Sequence, residues 1–250
     1  MDVLLNKFYN DVKATEWDYK VENINDIYKL PLHIRDEMIN DFSMYNRLTE
    51  IESIDYWSSS INWVYVYNNI CFIPLDKCAS TYYKKLFSDL GWHEIPLGDV
   101  PDDYYMISCI INPMKKYMKG LTEYIYYNNL HNSDSYNILI NTLLIPDHHT
   151  IPYTNTLGSY VKKIDFIPMD IMSDNEVKIS LMKRFKSSGY KATLPLDDQR
   201  IHVSSSEKLE IYKDVINSVT NNNTERLAFI YTMFCNDLAL YRNVVENWSG

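Results

Sequence analysis

Residues 68–87 of this chain read NNICFIPLDKCASTYYKKLF. A short apolar run, Ile70–Leu75, leads into a turn of small and polar residues that carries Lys77. The pattern predicts a strand, a tight turn and the start of a helix. Because a helix N-terminus presents unpaired N–H groups and the positive end of the helix dipole, this order of elements favours an anion-binding turn.

The helix after this turn has sequence signals at both ends. Ser80 is placed to act as its N-cap, and Gly91 stands where a glycine often ends a helix. One apolar face is predicted from residues at helical spacing, which are Tyr83, Leu86, Phe87 and Leu90. The turn is not a Walker A loop, because that motif needs glycines before its lysine and residues 74–81 contain none.

Composition excludes several classes of protein. The chain has 250 residues, 46% of them apolar, which is enough for one large domain with a buried core. Its 24 basic and 33 acidic residues give a net charge of −9, and no basic block is present, so nucleic-acid binding is not expected. An anionic ligand would therefore need a locally positive pocket.

The cysteines and the chain start bear on the compartment. Cysteines 71, 78, 109 and 235 lack metal-like spacing and mostly lie in apolar runs, so we expect free buried thiols and no metal. The first residues lack a signal-peptide pattern, and no apolar run approaches the length of a membrane span. We expect a soluble cytoplasmic protein with no membrane partner.

The chain divides into residues 1–60, interpreted as an N-terminal helical cap or extension, and an α/β domain over residues 61–250. A second strand–turn–helix unit follows the first, with a buried strand at Tyr104–Ile111, a break at Asn112-Pro113 and a helical stripe after it. Two such units predict a P-loop-like parallel sheet flanked by helices, with ligands at the carboxyl ends of its strands.

Further elements are predicted on either side of these units. A strand at 61–67 and a hairpin turn at Asn68-Asn69 precede the first unit. The other predicted strands are 92–97 and 161–168, and the other predicted helices are 137–144, 177–185, 209–219 and 228–245. Residues 146–153 and 189–206 are expected to be loops.

Four segments, in this order, resemble motifs of the sulfotransferases, and more narrowly of the carbohydrate-type branch. They are Lys77–Tyr82, Ile111–Gly120, Asp147–Pro152 and Ile230–Tyr241, and the resemblance covers roughly residues 62–245. It implies a sulfotransferase-like fold and a donor, 3′-phosphoadenosine-5′-phosphosulfate (PAPS). The first segment is similar to the loop that binds the 5′-phosphosulfate, and the second to the 3′-phosphate motif.

The resemblance implies roles for named residues. The expected donor-binding residues are Lys77, Cys78, Ala79, Ser80, Thr81, Tyr82, Asn112, Lys119 and Arg200. Lys77 is also the expected catalytic cation, His149 matches the family histidine and is the first choice as general base, and His93 is its rival. Three positions depart from the family pattern. This chain has Ile111 where the family has an arginine, Lys119 where it has a serine, and Tyr153 where it commonly has a glutamine.

Structural roles are weighed against these functional ones. Lys77 could be a solvated loop lysine, and the lysines at 115, 116 and 119 could form a solvated helix face in which Lys119 pairs with Glu123. Asp237 is expected to be a buried or capping carboxylate.

The sequence thus predicts sulfuryl transfer to a hydroxyl of a small molecule or glycan. Two alternatives stay open. One is a nucleotide-dependent P-loop phosphotransferase, and the other is a non-catalytic binding module on a sulfotransferase scaffold.

Overall fold

The computed structural model describes residues 63–131, 133, 136, 148–190, 194, 205–220 and 224–248. The predicted N-terminal extension, the predicted helix 137–144 and Arg200 lie outside the described residues. The strands are β1 Trp63–Tyr67, β2 Ile70–Ile73, β3 His93–Pro96, β4 Tyr105–Ile110 and β5 Ile164–Pro168. The α-helices are α1 Ser80–Asp89, α2 Pro113–Tyr127, α3 Tyr153–Leu157, α4 Asp174–Ser187, α5 Ser206–Thr220 and α6 Thr224–Glu246.

The five strands form one sheet in the order β3-β1-β2-β4-β5. β2, β4 and β5 are parallel, whereas β1 runs antiparallel to both of its neighbours. The α/β class is confirmed, but the expectation of a parallel sheet is wrong at β1. The reason is the predicted hairpin, which is confirmed by the pairing of Tyr67 with Ile70 and by the left-handed φ of 52° at Asn68.

The middle of the sheet is its most buried part. β4 lies between the parallel strands β2 and β5, as its almost continuous apolar run predicts. Its one buried polar side chain, Ser108, donates a hydrogen bond to the Ile73 carbonyl of β2 at 2.7 Å. β5 begins later than predicted, because residues Gly158–Lys163 form a 3-10 helix. Cys71, Cys78 and Cys109 are buried free thiols, as expected.

α1 packs its predicted apolar face on the sheet. The Phe87 ring lies 4.6 Å from Phe72 and 4.5 Å from Trp92, measured between centroids. At the end of α1 the Gly91 N–H donates to Ser88 O at 3.0 Å and the Trp92 N–H donates to Phe87 O at 2.9 Å. Gly91 has φ 75°, so the predicted glycine stop is confirmed as a Schellman motif.

A second core cluster joins α2 to α5 and α6. Its buried members are Met114, Tyr117, Met118, Leu121, Ile125, Ile211, Tyr212, Val215, Ile216 and Phe234. This packing fixes α5 against α2. Since α1 follows β2 and α2 follows β4, both helices begin at the edge of the sheet where the parallel strands end.

Within the described ranges, no helix is long and apolar enough to cross a membrane.

Candidate functional site

The β2–α1 loop, Pro74–Ala79, has an uncommon backbone. Lys77 has φ 64° and Ala79 has φ 58°, so two non-glycine residues are left-handed within three positions. The buried side chains of Leu75 and Cys78 hold the loop against the core, and the Cys78 N–H donates to Leu75 O at 3.2 Å. Strained backbone of this kind persists where surrounding contacts determine it, and it is frequent at binding sites.

The start of α1 differs from the prediction. Ala79 is the N-cap and Ser80 is the first helical residue, so the expected cap role of Ser80 is wrong. The left-handed Ala79 turns the chain so sharply that Ser80 already has helical geometry. The N-cap residue, Ala79, provides no side-chain capping hydrogen bond, and the first internal bond of α1 runs from the Tyr83 N–H to Ala79 O at 3.0 Å. The amides of residues 80–82 therefore have no hydrogen-bond partner within the helix, as the first amides of a helix that binds an anion do.

Cys78 ties the loop to the segment that carries His149. Its sulfur lies 3.1 Å from the hydroxyl of Tyr153. Burial raises the pKa of the Cys78 thiol to about 11, so this side chain is a neutral thiol at neutral pH. The residue is therefore an anchor for the loop rather than a nucleophile.

Lys77 forms an ion pair with Glu123 of α2, and its side chain is only 12% exposed. The alternative role, that of a solvated loop lysine, is therefore wrong. Glu123 Oε1 also accepts from Lys208 Nζ at 3.1 Å. The Lys208 ammonium lies 5.6 Å and 5.2 Å from the ring centroids of Tyr126 and Tyr127. Three charged groups from the loop, α2 and α5 thus meet at one place.

One face of α2 lines the site, with Lys116, Lys119, Gly120 and Glu123 at helical spacing. Lys116 is 2% exposed and donates to the carbonyl of His149 at 3.3 Å and to that of Ile151. The predicted solvated face is therefore wrong at Lys116. A Cβ on Gly120 would lie 2.5 Å from the carbonyl oxygen of His149, so only glycine admits this close contact.

The structure therefore brings Lys77 and His149 to the same stretch of α2. Lys77 contacts Glu123, and the backbone of His149 contacts Gly120, three residues earlier on the same face. Lys119 lies on that stretch beside Gly120. His149 itself is half-buried in the 3-10 helix His148–Thr150.

His93 is not brought to this site. It is the first residue of β3, exposed, and it pairs with Val66, which pairs in turn with Cys71. That row lies near the amino ends of β2 and β4, whereas the β2–α1 loop lies beyond their carboxyl ends. His93 is also two strands away from β2.

Two side chains, those of Asn112 and of Asp170 after β5, close the β4–α2 turn, Ile111–Asn112, by accepting hydrogen bonds from amides of the turn and of the start of α2. Asn112 Oδ1 accepts from the Met114 N–H at 2.9 Å, and the Asn112 N–H donates to Asp170 Oδ2 at 3.1 Å. Pro113 occupies the first helical position, where no N–H is needed. Ile111, at the position of the family arginine, is buried in the core. Asn112 thus has a capping role where a phosphate contact was expected.

Asp237 has the structural role expected for it. Its buried carboxylate accepts from the Tyr153 N–H at 2.5 Å, the Thr154 N–H at 2.9 Å and the Thr154 hydroxyl at 2.7 Å. Burial raises its pKa, while these hydrogen bonds oppose the increase. It caps α3 and fixes the segment that follows His149.

The sequence did not predict Lys208 as a site residue, the contact of Tyr153 with Cys78, or the position of Glu123 between Lys77 and Lys208. A glycine inside a helix is unfavourable, so Gly120 was a signal that another backbone approaches α2 there. Lys208 had no local signal, because its place depends on how α5 packs on α2.

Among the residues with described positions, no group of three or more His, Cys, Asp or Glu is arranged to hold a metal ion. No protein-family model, no curated protein and no solved structure matched this chain.

Proposed function

We propose that this chain is a PAPS-dependent sulfotransferase that transfers a sulfuryl group to a hydroxyl acceptor such as a carbohydrate. One observation carries the proposal. The largely buried Lys77, at the uncapped start of α1, shares a face of α2 with the His149 segment. A cation and uncapped amides, beside the segment that carries a candidate base, suit in-line transfer of a sulfuryl group from an anionic leaving group to a hydroxyl.

The residues at the carboxyl edge of the sheet fit the two ends of the donor unequally. The amides of Ser80, Thr81 and Tyr82, together with Lys77, suit the 5′-phosphosulfate. At the other end the Asn112 side chain already caps α2, so we assign the 3′-phosphate to Lys119 and Arg200.

PAPS supplies the sulfuryl group, whose sulfur bonds to the acceptor oxygen as its bond to the bridging phosphate oxygen breaks. Lys77 neutralises the charge that grows on the 5′-phosphate, and the α1 amides orient it. His149 accepts the hydroxyl proton, because an imidazole can take a proton near neutral pH. Gly120 and Lys116 position His149 through its backbone.

Buried free thiols at Cys71, Cys78 and Cys109 fit a reducing compartment, so we place the protein in the cytoplasm.

A thermal-shift assay with 3′-phosphoadenosine-5′-phosphate (PAP), with ATP plus Mg²⁺ and with buffer alone tests the proposal. We expect PAP to raise the melting temperature, since a ligand that binds only the folded state stabilises it. Stabilisation by ATP plus Mg²⁺ alone would instead indicate a P-loop phosphotransferase and would contradict the proposal.

A second candidate is a non-catalytic binding module on the same scaffold. It is favoured by the buried Ile111 at the family arginine position and by the Lys77–Glu123 ion pair. PAP binding with no sulfate transfer from PAPS to a panel of sugar and phenol acceptors would support it over the enzyme.

A further inference from the structure

We propose that Lys77 and Lys208 together form an oxyanion site, and that the Glu123 carboxylate occupies it until an anionic ligand takes its place. This deepens the proposed function and rests on it for the identity of the ligand, which would be the 5′-phosphosulfate end of the donor. It adds a second cation, from α5, and a carboxylate that competes with the donor.

Two lysines and one carboxylate lie in close contact at this place. Two ammonium groups from different elements contact one carboxylate, and the exposed fractions of the Lys77, Glu123 and Lys208 side chains are 12%, 18% and 23%. Two cations held this close together in a partly buried place repel each other unless an anion lies between them. Glu123 supplies one negative charge and two oxygens, whereas a phosphate or sulfate group supplies more of both.

Lys208 is held in position before any ligand arrives. Its backbone N–H donates to the Ser205 hydroxyl at 3.2 Å at the start of α5. Its ammonium lies over the rings of Tyr126 and Tyr127. α5 is packed on α2 through the second core cluster, so the position of Lys208 follows from the fold.

Glu123 lies where it can be replaced. It is paired with Lys77, the residue that leads into the uncapped amides of α1. An anion that reaches those amides and Lys77 must share or displace this carboxylate, because like charges in one partly buried site are disfavoured. The energy of separating Glu123 from its lysines is then subtracted from the binding energy of the anion.

Two probes measure binding to the full chain, with PAP titrated by calorimetry and inorganic sulfate titrated by thermal shift in chloride buffer. We expect Glu123→Gln to bind both probes about tenfold more tightly and Lys208→Gln about tenfold more weakly, in line with gain or loss of one charge-assisted contact. The matched control is Lys213→Gln, an exposed lysine on the same helix, with binding within about twofold of wild type.

Folding is checked in the same experiment. Without sulfate, Glu123→Gln should melt below wild type, and sulfate should raise its melting temperature more than that of wild type. Misfolding cannot mimic tighter binding, so this variant tests the inference even if Lys208→Gln is unstable. Lys208→Arg, which keeps the charge, should then retain most of the affinity.

The outcomes separate the inference from the proposed function. If Glu123→Gln binds sulfate and PAP as tightly as wild type or more weakly, the inference is overturned. In that case the proposed function would still stand if Lys77→Ala abolished PAP binding. Sulfate binding that follows the expectation, with PAP bound by no variant, would support the oxyanion site and overturn the proposed function. Binding of neither probe to wild type and Glu123→Gln would overturn the inference.

Discussion

The β2–α1 loop and the β4–α2 turn connect the same kinds of element at the same edge of the sheet, yet they end differently. In the first, the N-cap residue Ala79 is left-handed and provides no side-chain capping hydrogen bond to α1. In the second, Asn112 caps α2 and the backbone of the turn is bonded to Asp170. A helix N-terminus binds an external anion only where its amides are not already satisfied by the protein.

The β2–α1 loop is therefore a candidate binding site, whereas the β4–α2 turn has a structural role. The β2–α1 loop carries Lys77, which contacts Glu123 of α2. The β4–α2 turn carries no cation, and Ile111, at the position where the motif it resembles has an arginine, is buried in the core. The same strand–turn–helix pattern in the sequence predicts both turns, so the capping state of each helix decides which of them can hold an anion.

The largest effect is expected from Lys77→Ala, which removes the cation of the β2–α1 loop. Transfer should fall about 10³-fold, or about 4 kcal/mol, as when one preorganised charge contact of a transition state is lost. The measurement is the rate of sulfate transfer from PAPS, and the control is Lys84→Ala, an exposed lysine on α1. Near-normal transfer by Lys77→Ala would refute the assignment of this loop.

Gly120→Ala tests whether the His149 segment must lie so close to α2. The added methyl group would meet the carbonyl oxygen of His149 at 2.5 Å, so one of the two backbones must shift. We expect a loss of about 1–2 kcal/mol in the free energy of unfolding, despite the better helix propensity of alanine. Gly98→Ala is the control, since a Cβ there meets nothing within 4 Å. Urea denaturation measures both, and equal stability of the two variants would argue against a tight contact.

Asn112→Ala opens the β4–α2 turn. The loss of its side-chain cap should lower the free energy of unfolding by about 1 kcal/mol. Asn112→Asp should retain most of the stability, because aspartate also caps. PAP affinity should change much less than in Lys77→Ala, as measured by calorimetry. If Asn112→Ala lost as much PAP affinity as Lys77→Ala, the result would indicate that Asn112 contacts the phosphate directly.

Ala79→Gly and Ser80→Ala are expected to have the smallest effects. Glycine adopts the left-handed conformation without the steric cost of a Cβ, which stabilises the folded state. Its greater conformational entropy in the unfolded state offsets part of this gain, so the free energy of unfolding should rise by about 0.5 kcal/mol. Ser80→Ala should be nearly neutral for stability, since Ser80 does not cap α1. A loss near 1 kcal/mol in Ser80→Ala would show that it does.

Local patterns in the sequence predicted much of the fold. The period-two pattern located β1, an almost continuous apolar run located β4, period-3.6 patterns located α1 and α2, and Gly91 marked the end of α1. The antiparallel direction of β1 follows from the hairpin turn predicted at Asn68-Asn69, whereas the order of the strands in the sheet depends on packing and has no local signal.

The candidate site was predictable where it is contiguous and unpredictable where it is not. The lysine-bearing turn lies in one stretch, so its place at the carboxyl edge followed from strand–turn–helix order. Glu123 and Lys208, which with Lys77 form this cluster, lie 46 and 131 positions after Lys77 in the chain, so only packing determines the contacts of Glu123 with the two lysines. The capping of α1 depended on the backbone angle of Ala79, which its residue type does not favour.

A crystal structure of the protein with PAP tests the central claim most directly. The account predicts electron density for the 5′-phosphate within hydrogen-bonding distance of Lys77 Nζ and the amides of residues 80–82, at the uncapped start of α1. Density for that phosphate at the capped start of α2, or away from the carboxyl edge of the sheet altogether, would contradict it.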